Sequence, residues 1–238
     1  LRKNDCFRRE FFADISHDLR SPLASMQGYL ETLQIKEEQL TSEERGRYID
    51  VIFSNLKLIS DLVDEMYRLV RLETRQVQLN PERFAVEELL QDVILKLKQQ
   101  SEKKEVHLSF CLPSRSFIVT ADIGLIERAV SNVIGNAINY TPSRGRIRIT
   151  LRSHKKAARI TISDSGCGIA PEDLPFVFDR YYRSKKNRQN QGSRNSGLGL
   201  AIAKKILELH ECSLFVESRL GAGTTFYFDL PAEIREIK

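Results

Sequence analysis

Apolar residues in the first third of the chain recur in steps of three and four, a period that commits the segment to helix. Phe12, Ile15, Leu19, Leu23, Met26, Leu30 and Leu33 form one stripe on a helix running from Phe7 to Leu33. A polar turn through Lys36 to Gln39 follows, and Thr41 with Glu44 has the capping-box spacing that opens a second helix. The stripe of that helix is Tyr48, Ile52, Ile59, Leu62, Met66 and Leu69. Two long amphipathic helices joined by a short turn make a hairpin. Each stripe is wider than one partner helix covers, so two hairpins are expected to pair as a four-helix bundle, making the protein a homodimer.

Between Thr74 and Pro81 the period changes, and short strand-like runs begin to alternate with helices. Helices are expected at Val86 to Lys98, Ile123 to Tyr140 and Leu198 to Leu209. Strands are expected at Val106 to Phe110, Phe117 to Thr120, Arg146 to Arg152, Arg159 to Asp164, Ser213 to Ser218 and Thr224 to Leu230. Ser165 to Ser196 reads as a long irregular segment. The class is therefore α+β, with a helical hairpin over residues 1–76 and a second domain over 77–238.

At 238 residues and 41% hydrophobic content, the chain has enough apolar material for two ordinary domains. Its formal charge of +5 is spread among interleaved acids and bases, and no recognition motif accompanies it, so a nucleic-acid partner is not expected. The exception to that mixing is the polar, basic run Arg183 to Arg194. Cys6, Cys111, Cys167 and Cys212 are far apart and form no CxxC pair, which signals neither a disulfide framework nor a zinc site. No apolar run approaches the roughly 18 residues that span a bilayer, and no signal peptide is visible. The chain starts at Leu1 rather than Met, the expectation being a fragment of a longer protein.

His17 stands out on the first helix. It lies two residues from both Ile15 and Leu19, roughly 200° around the helix from each, and so points away from the apolar stripe. Asp18 follows it, Ser21 lies one turn on, and Pro22 removes a helical hydrogen bond, which predicts a bend. The run Phe12-Ala-Asp-Ile-Ser-His17-Asp18-Leu-Arg-Ser21-Pro22-Leu closely resembles the phosphoacceptor box of sensor histidine kinases. That resemblance implies that His17 is the phosphorylated residue and that Asp18 orients the ring and takes its proton. The chemistry is coherent, because a carboxylate on one imidazole nitrogen stabilises the charge that develops as the other attacks. Ser21 stands where the family commonly has Thr or Asn, the position tied to dephosphorylating the partner regulator.

The second domain has no GxxxxGK[ST], which excludes a P-loop. Asn132 and Asn136 lie one turn apart on a helix face, with Tyr140 a further turn along. Asp164-Ser-Gly166-Cys-Gly168-Ile169 follows a strand; its glycines allow close backbone approach and its carboxylate can accept a hydrogen bond. Gly197-Leu198-Gly199-Leu200 opens a helix whose free N–H groups suit phosphate oxygens. Gly221-Ala-Gly223-Thr224 reads as a hairpin turn.

Taken in order, with Phe176-Val-Phe178-Asp-Arg180-Tyr181-Tyr-Arg183 between them, these motifs resemble the ATP domain of histidine kinases, whose fold is shared with gyrase, Hsp90 and MutL ATPases. The resemblance implies an α/β sandwich, a mixed sheet with helices on one face, holding ATP and Mg2+. Asp164 would read the adenine amino group, Asn132 and Asn136 would hold Mg and phosphates, and Tyr140 would line the base pocket. Gly166, Gly168, Ile169, Tyr181, Leu198, Leu200 and Thr224 complete the implied nucleotide contacts. Residues from Arg180 to Ser196 would form a lid, with Arg183 touching phosphate. Asn139 replaces the family's frequent phosphate-contacting Lys, and Glu211-Cys212 replaces a usual Gly-Gly.

The implied reaction is autophosphorylation of His17 by Mg-ATP, followed by transfer to an aspartate of a response-regulator receiver domain. The implied parent protein is anchored in the bacterial inner membrane, this part lying in the cytoplasm. Two rivals are a hydrolytic ATPase and a scaffold that binds nucleotide without chemistry. The gyrase-type ATPases carry a catalytic Glu one turn before the metal Asn, where this chain has Asn132, so water lacks its general base.

Overall fold

A computed structural model describes residues 2–36, 39–73, 77–111, 115–180, 182 and 197–236, with backbone alone for 2–18, 73, 235 and 236. The chain divides into two compact units, Leu1–Arg68 and Leu69–Lys238.

The first unit is a helical hairpin. Helix α1 spans Arg2–Ile35 and runs on through Pro22, and α2 spans Ser42–Glu73. The capping box forms as its spacing predicts: Glu44 N–H donates to Thr41 Oγ1 at 3.2 Å, and Thr41 N–H donates to the Glu44 carboxylate at 2.9 Å. Those bonds hold the Glu44 carboxyl below its ordinary value. The two helices meet through the Tyr29 and Tyr48 rings, 5.2 Å apart, and through Asn55 Nδ2, which donates to Ser25 Oγ at 3.4 Å. Much of the apolar surface is left uncovered, with Leu23 at 51%, Leu30 at 49%, Phe53 at 65% and Leu56 at 54% exposure. An apolar stripe of this extent on a helical pair is unsatisfied by the hairpin itself.

In the second unit, a mixed sheet is covered on one face by helices. Its described elements are β1 Glu82–Ala85, α3 Val86–Lys103, β2 His107–Cys111, β3 Arg115–Ala121, α4 Ile123–Tyr140, β4 Arg146–His154, β5 Ala157–Asp164, a short 3-10 helix Leu174–Phe176, α5 Gly199–Leu209, β6 Phe215–Arg219 and β7 Gly223–Glu236. The strand order is β1-β3-β7-β5-β4-β2 with β6 also on β7; β2 and β4 are parallel and the other pairs antiparallel.

Register explains the core. Ile149, Ile162 and Phe226 align in one row across β4, β5 and β7, and Leu151, Ile160 and Phe228 in the next, all buried. Against that face pack Ile126, Val130, Val133, Ile134, Ala137 and Ile138 of α4 and Ile202, Ile206 and Leu207 of α5. The alternate residues form the opposite, polar face, where the Arg159 guanidinium pairs with both oxygens of Asp229 at 2.7 Å. The arginine holds the Asp229 carboxyl below its usual range. Among the described residues no helix is long and apolar enough to cross a membrane.

The structure revises several boundaries. Strand β1 was not expected; its four residues pair with β3, from Glu82 opposite Ala121 to Ala85 opposite Ile118. Strand β7 runs past the expected end at Leu230, because beyond Pro231, which cannot donate to a ladder, it exchanges β5 for β3 as partner. The two compact units divide within α2, where Leu69 and Leu72 are buried in the core of the second unit.

Candidate active site

Helix α4 is the central support. Asp122 caps it, its Oδ1 accepting from Leu125 N–H at 3.0 Å, and Asp122 Oδ2 accepts from Asn80 N–H at 3.1 Å. The buried side of α4 is apolar, so Asn132, Asn136, Asn139 and Tyr140 fall along its half-buried margin. The amide nitrogen of Asn132 is buried and has no hydrogen-bond partner among the described residues. A buried donor left unpaired costs about 1–3 kcal/mol, so the site is built for an acceptor not supplied by these residues.

What faces Asn132 is the start of α5. A Cβ on Gly199 would sit 3.7 Å from Asn132 Cγ, so the Gly197–Leu200 turn lies directly against that amide. Leu198 is buried in the core and Leu200 packs against it, which makes both anchors of the turn. Among the described residues no side chain caps α5, and the first N–H groups of a helix suit an anionic oxygen.

The Asp164–Ile169 turn and the β6–β7 hairpin are locked together. Asp164 Oδ1 accepts from Gly166 N–H at 2.8 Å and Thr224 N–H at 3.2 Å; among the described residues both of its hydrogen bonds go to that one oxygen. Oδ2 accepts no hydrogen bond from the described residues. Burial pushes the Asp164 carboxyl above its ordinary value, against the two N–H groups that pull it down. Ser218 Oγ accepts from Ile169 N–H at 2.8 Å and also meets Thr224 Oγ1 at 2.9 Å, and Gly221 N–H donates to Cys167 O at 2.7 Å.

Two glycines make this approach possible. Gly168 has φ +68° and Gly223 φ +98°; a Cβ on the first would run into the Arg219 carbonyl, and one on the second into the Asp164 carbonyl. The close approach expected of the DxGxG glycines is therefore, in this structure, an approach of backbone to backbone. Gly166 is similar: a Cβ there would come within 2.6 Å of Tyr140 O, which brings the end of α4 to the same turn.

The structure thus brings together Asn132, Tyr140, Asp164, Gly166, Gly168, Ile169, Gly199 and Thr224. Tyr181, Arg183 and the expected lid up to Ser196 lie outside the described residues, Arg180 and Tyr182 apart. His17 and Asp18 lie on α1 where only backbone is described, and Ser21 is exposed on that helix. Ser218 was missed by sequence reasoning; a strand-end serine carries no local signal, and its role depends on a residue 49 positions away.

A sheet covered by helices on one face, with an amide-lined helix margin against a glycine turn, defines a gyrase- and Hsp90-like nucleotide-binding domain. Residues 121–234 match the family model described as histidine kinase-, DNA gyrase B- and HSP90-like ATPase, and residues 7–75 match the His Kinase A phospho-acceptor domain. The chain is 32% identical over 227 residues to the sensor protein SrrB of Staphylococcus aureus, covering 95% of this chain but 38% of that protein. It therefore spans well under half the length of the curated relatives it matches. The solved structure of histidine kinase ThkA in complex with response regulator protein TrrA superposes with a TM-score of 0.76 at 24% identity, covering 98% of this chain and 64% of that one. Full-length ShkA in complex with AMPPNP gives 0.67 at 24% identity, covering 96% and 47%. The chain belongs to the sensor histidine kinases, of which it forms a catalytic core.

Proposed function

We propose that this chain is a protein-histidine kinase that binds Mg-ATP in residues 77–238 and phosphorylates His17 in the hairpin of residues 1–76. The observation that carries this reading is the unpaired amide of Asn132, buried against the Gly199 turn: a donor in want of an anionic acceptor, at the place where triphosphate oxygens belong. Asp164 Oδ2 is the acceptor for the adenine amino group, with Tyr140 beside the base. Asn136, whose amide makes no hydrogen bond with the described residues, is the metal ligand together with Asn132. Magnesium, when bound, offsets phosphate charge as the terminal group is transferred. The AMPPNP held by ShkA supports the nucleotide assignment.

His17 is the nucleophile, its attacking nitrogen made available as Asp18 takes the ring proton. With Asn132 in the place of a hydrolytic Glu, the domain has no carboxylate there to activate water, which favours transfer over hydrolysis. The phosphoryl group then passes to an aspartate of a response-regulator receiver domain, a step supported by the ThkA–TrrA complex. Ser21 retains a hydroxyl for regulator dephosphorylation. The uncovered stripe of Leu23, Leu30, Phe53 and Leu56 supports a homodimer, and the length of the SrrB relatives supports a longer parent protein, whose anchoring in the membrane is part of the proposal.

Incubation with γ-labelled ATP and magnesium tests the reading. Label on the protein that is acid-labile and base-stable is expected; release of free phosphate without it points to the hydrolytic rival, and binding without either to the scaffold.

Asp164→Asn is expected to weaken ATP binding by roughly 10- to 100-fold, the worth of a hydrogen bond to a charged group. The same change should raise the melting temperature of the nucleotide-free protein by roughly 2–4 °C at pH 7. The sign follows from the raised carboxyl: its ionised form is the disfavoured one in the folded state, so the penalty applies above its unfolded pKa and disappears as pH falls through it. The thermal gain should therefore vanish near pH 4, and a gain equal at both pH values would contradict the burial argument.

A further inference from the structure

The last turn of α4 contains no basic residue of its own. Its terminal carbonyls have no partner within the helix and form the negative end of the helix dipole. Thr141 satisfies Ala137 O through its N–H at 3.0 Å and its hydroxyl at 2.7 Å. The next two carbonyls, of Ile138 and Asn139, both accept from Lys104 Nζ, the first at 2.8 Å.

Lys104 comes from the far end of α3, and the chain around it is tied to the same corner. Arg144 N–H donates to Glu105 O at 2.8 Å, His107 N–H to Gly145 O at 2.9 Å, and Ser143 Oγ to the Glu105 carboxylate at 2.6 Å. Lys104 is half-buried, and burial holds its ammonium below the usual lysine range. Cys167, between Gly166 and Gly168, is the group that opposes this shift electrostatically. The ammonium thus sits on the end of α4, and that end meets the Asp164–Ile169 turn where Tyr140 O occupies the space beside Gly166.

We propose that Lys104 is a positioning residue for the nucleotide base, supplying from α3 the cation that the last turn of α4 lacks and fixing Tyr140 against the Asp164 turn. The proposal rests on the assignment of Asp164 and Tyr140 to the base. It concerns a residue that contacts neither phosphate nor the reacting atoms. A lysine that only stabilised the fold would lower the melting temperature without selecting among substrates. One that sets the base pocket changes KM for ATP and the preference for adenine over guanine.

Steady-state autophosphorylation of Lys104→Met is expected to show KM for ATP raised on the order of tenfold, kcat changed by less than about threefold, and a smaller preference for ATP over GTP. Lys104→Arg should return KM to within about threefold of the parent. A parental KM in Lys104→Met, or a fall in kcat at unchanged KM, overturns the proposal. Where Lys104→Met does not fold, Lys104→Gln is read in its place: it is neutral but still donates, so a smaller KM rise is expected, and a parental value again overturns the idea. Asp164→Asn run in parallel separates the two readings. If it binds ATP as the parent does, the base assignment fails and takes Lys104 with it; if it loses binding while Lys104→Met does not, only the role of Lys104 fails.

Discussion

His17→Gln is expected to take up no acid-labile label from ATP while binding the nucleotide as tightly as the parent, within about twofold. A glutamine amide nitrogen shares its lone pair with the carbonyl and cannot attack phosphorus, whereas a neutral imidazole nitrogen can. The two halves of the result are separable because His17 lies in the hairpin unit and every proposed nucleotide contact lies in the other. Glutamine is also at least as good a helix former as histidine, so α1 should persist. Equilibrium binding with a fluorescent ATP analogue checks the first half, and label stability in acid and base the second. Persistent acid-labile label would mean a different acceptor, and a large loss of affinity would mean that the histidine helps to bind nucleotide.

The parts of the fold that could be read from the chain were those whose signals are local. Helix α4 was expected at Ile123 to Tyr140 and is found there, because Asp122 supplies a cap, the apolar period is unbroken, and Thr141-Pro142 ends it. Strand β1 carries no local signal, because four half-exposed or exposed residues become a strand only when β3, beyond α3 and β2 in the chain, pairs with them. The continuation of β7 was hidden by Pro231, which reads as a stop unless the change of partner from β5 to β3 is known.

The same division holds at the site. Asn132, Asp164 and the glycine turns were named from motif order, and the structure brings them together. Their supports were not legible: Ser218 reaches Ile169 across 49 residues and Lys104 reaches Ile138 across 34, and neither serine nor lysine is unusual where it stands. The reason for Gly168 and Gly223 was also concealed. Each is required by the carbonyl of another segment, and a hairpin glycine looks the same in sequence whether or not it is pressed against a neighbour.

Asn136→Ala is expected to abolish labelling, a loss of at least about 10²–10³-fold, the scale seen when a group that stabilises developing charge is removed. Loss of fold does not account for it. Asn136 is half-buried on α4 and makes no hydrogen bond with the described residues, and alanine is the better helix former by some tenths of a kcal/mol, so the melting temperature should stay level or rise. An amide that bonds to none of the described residues, one turn from the buried, unpaired Asn132, is what the proposed ligand role leads one to expect. The assignment to magnesium makes a further distinction: raising magnesium should recover part of the label in Asn136→Ala, because the lost ligand weakens metal binding, but none in His17→Gln. Full activity in Asn136→Ala at ordinary magnesium would remove the metal role, while loss of activity that no magnesium concentration restores would place the amide on the phosphates instead.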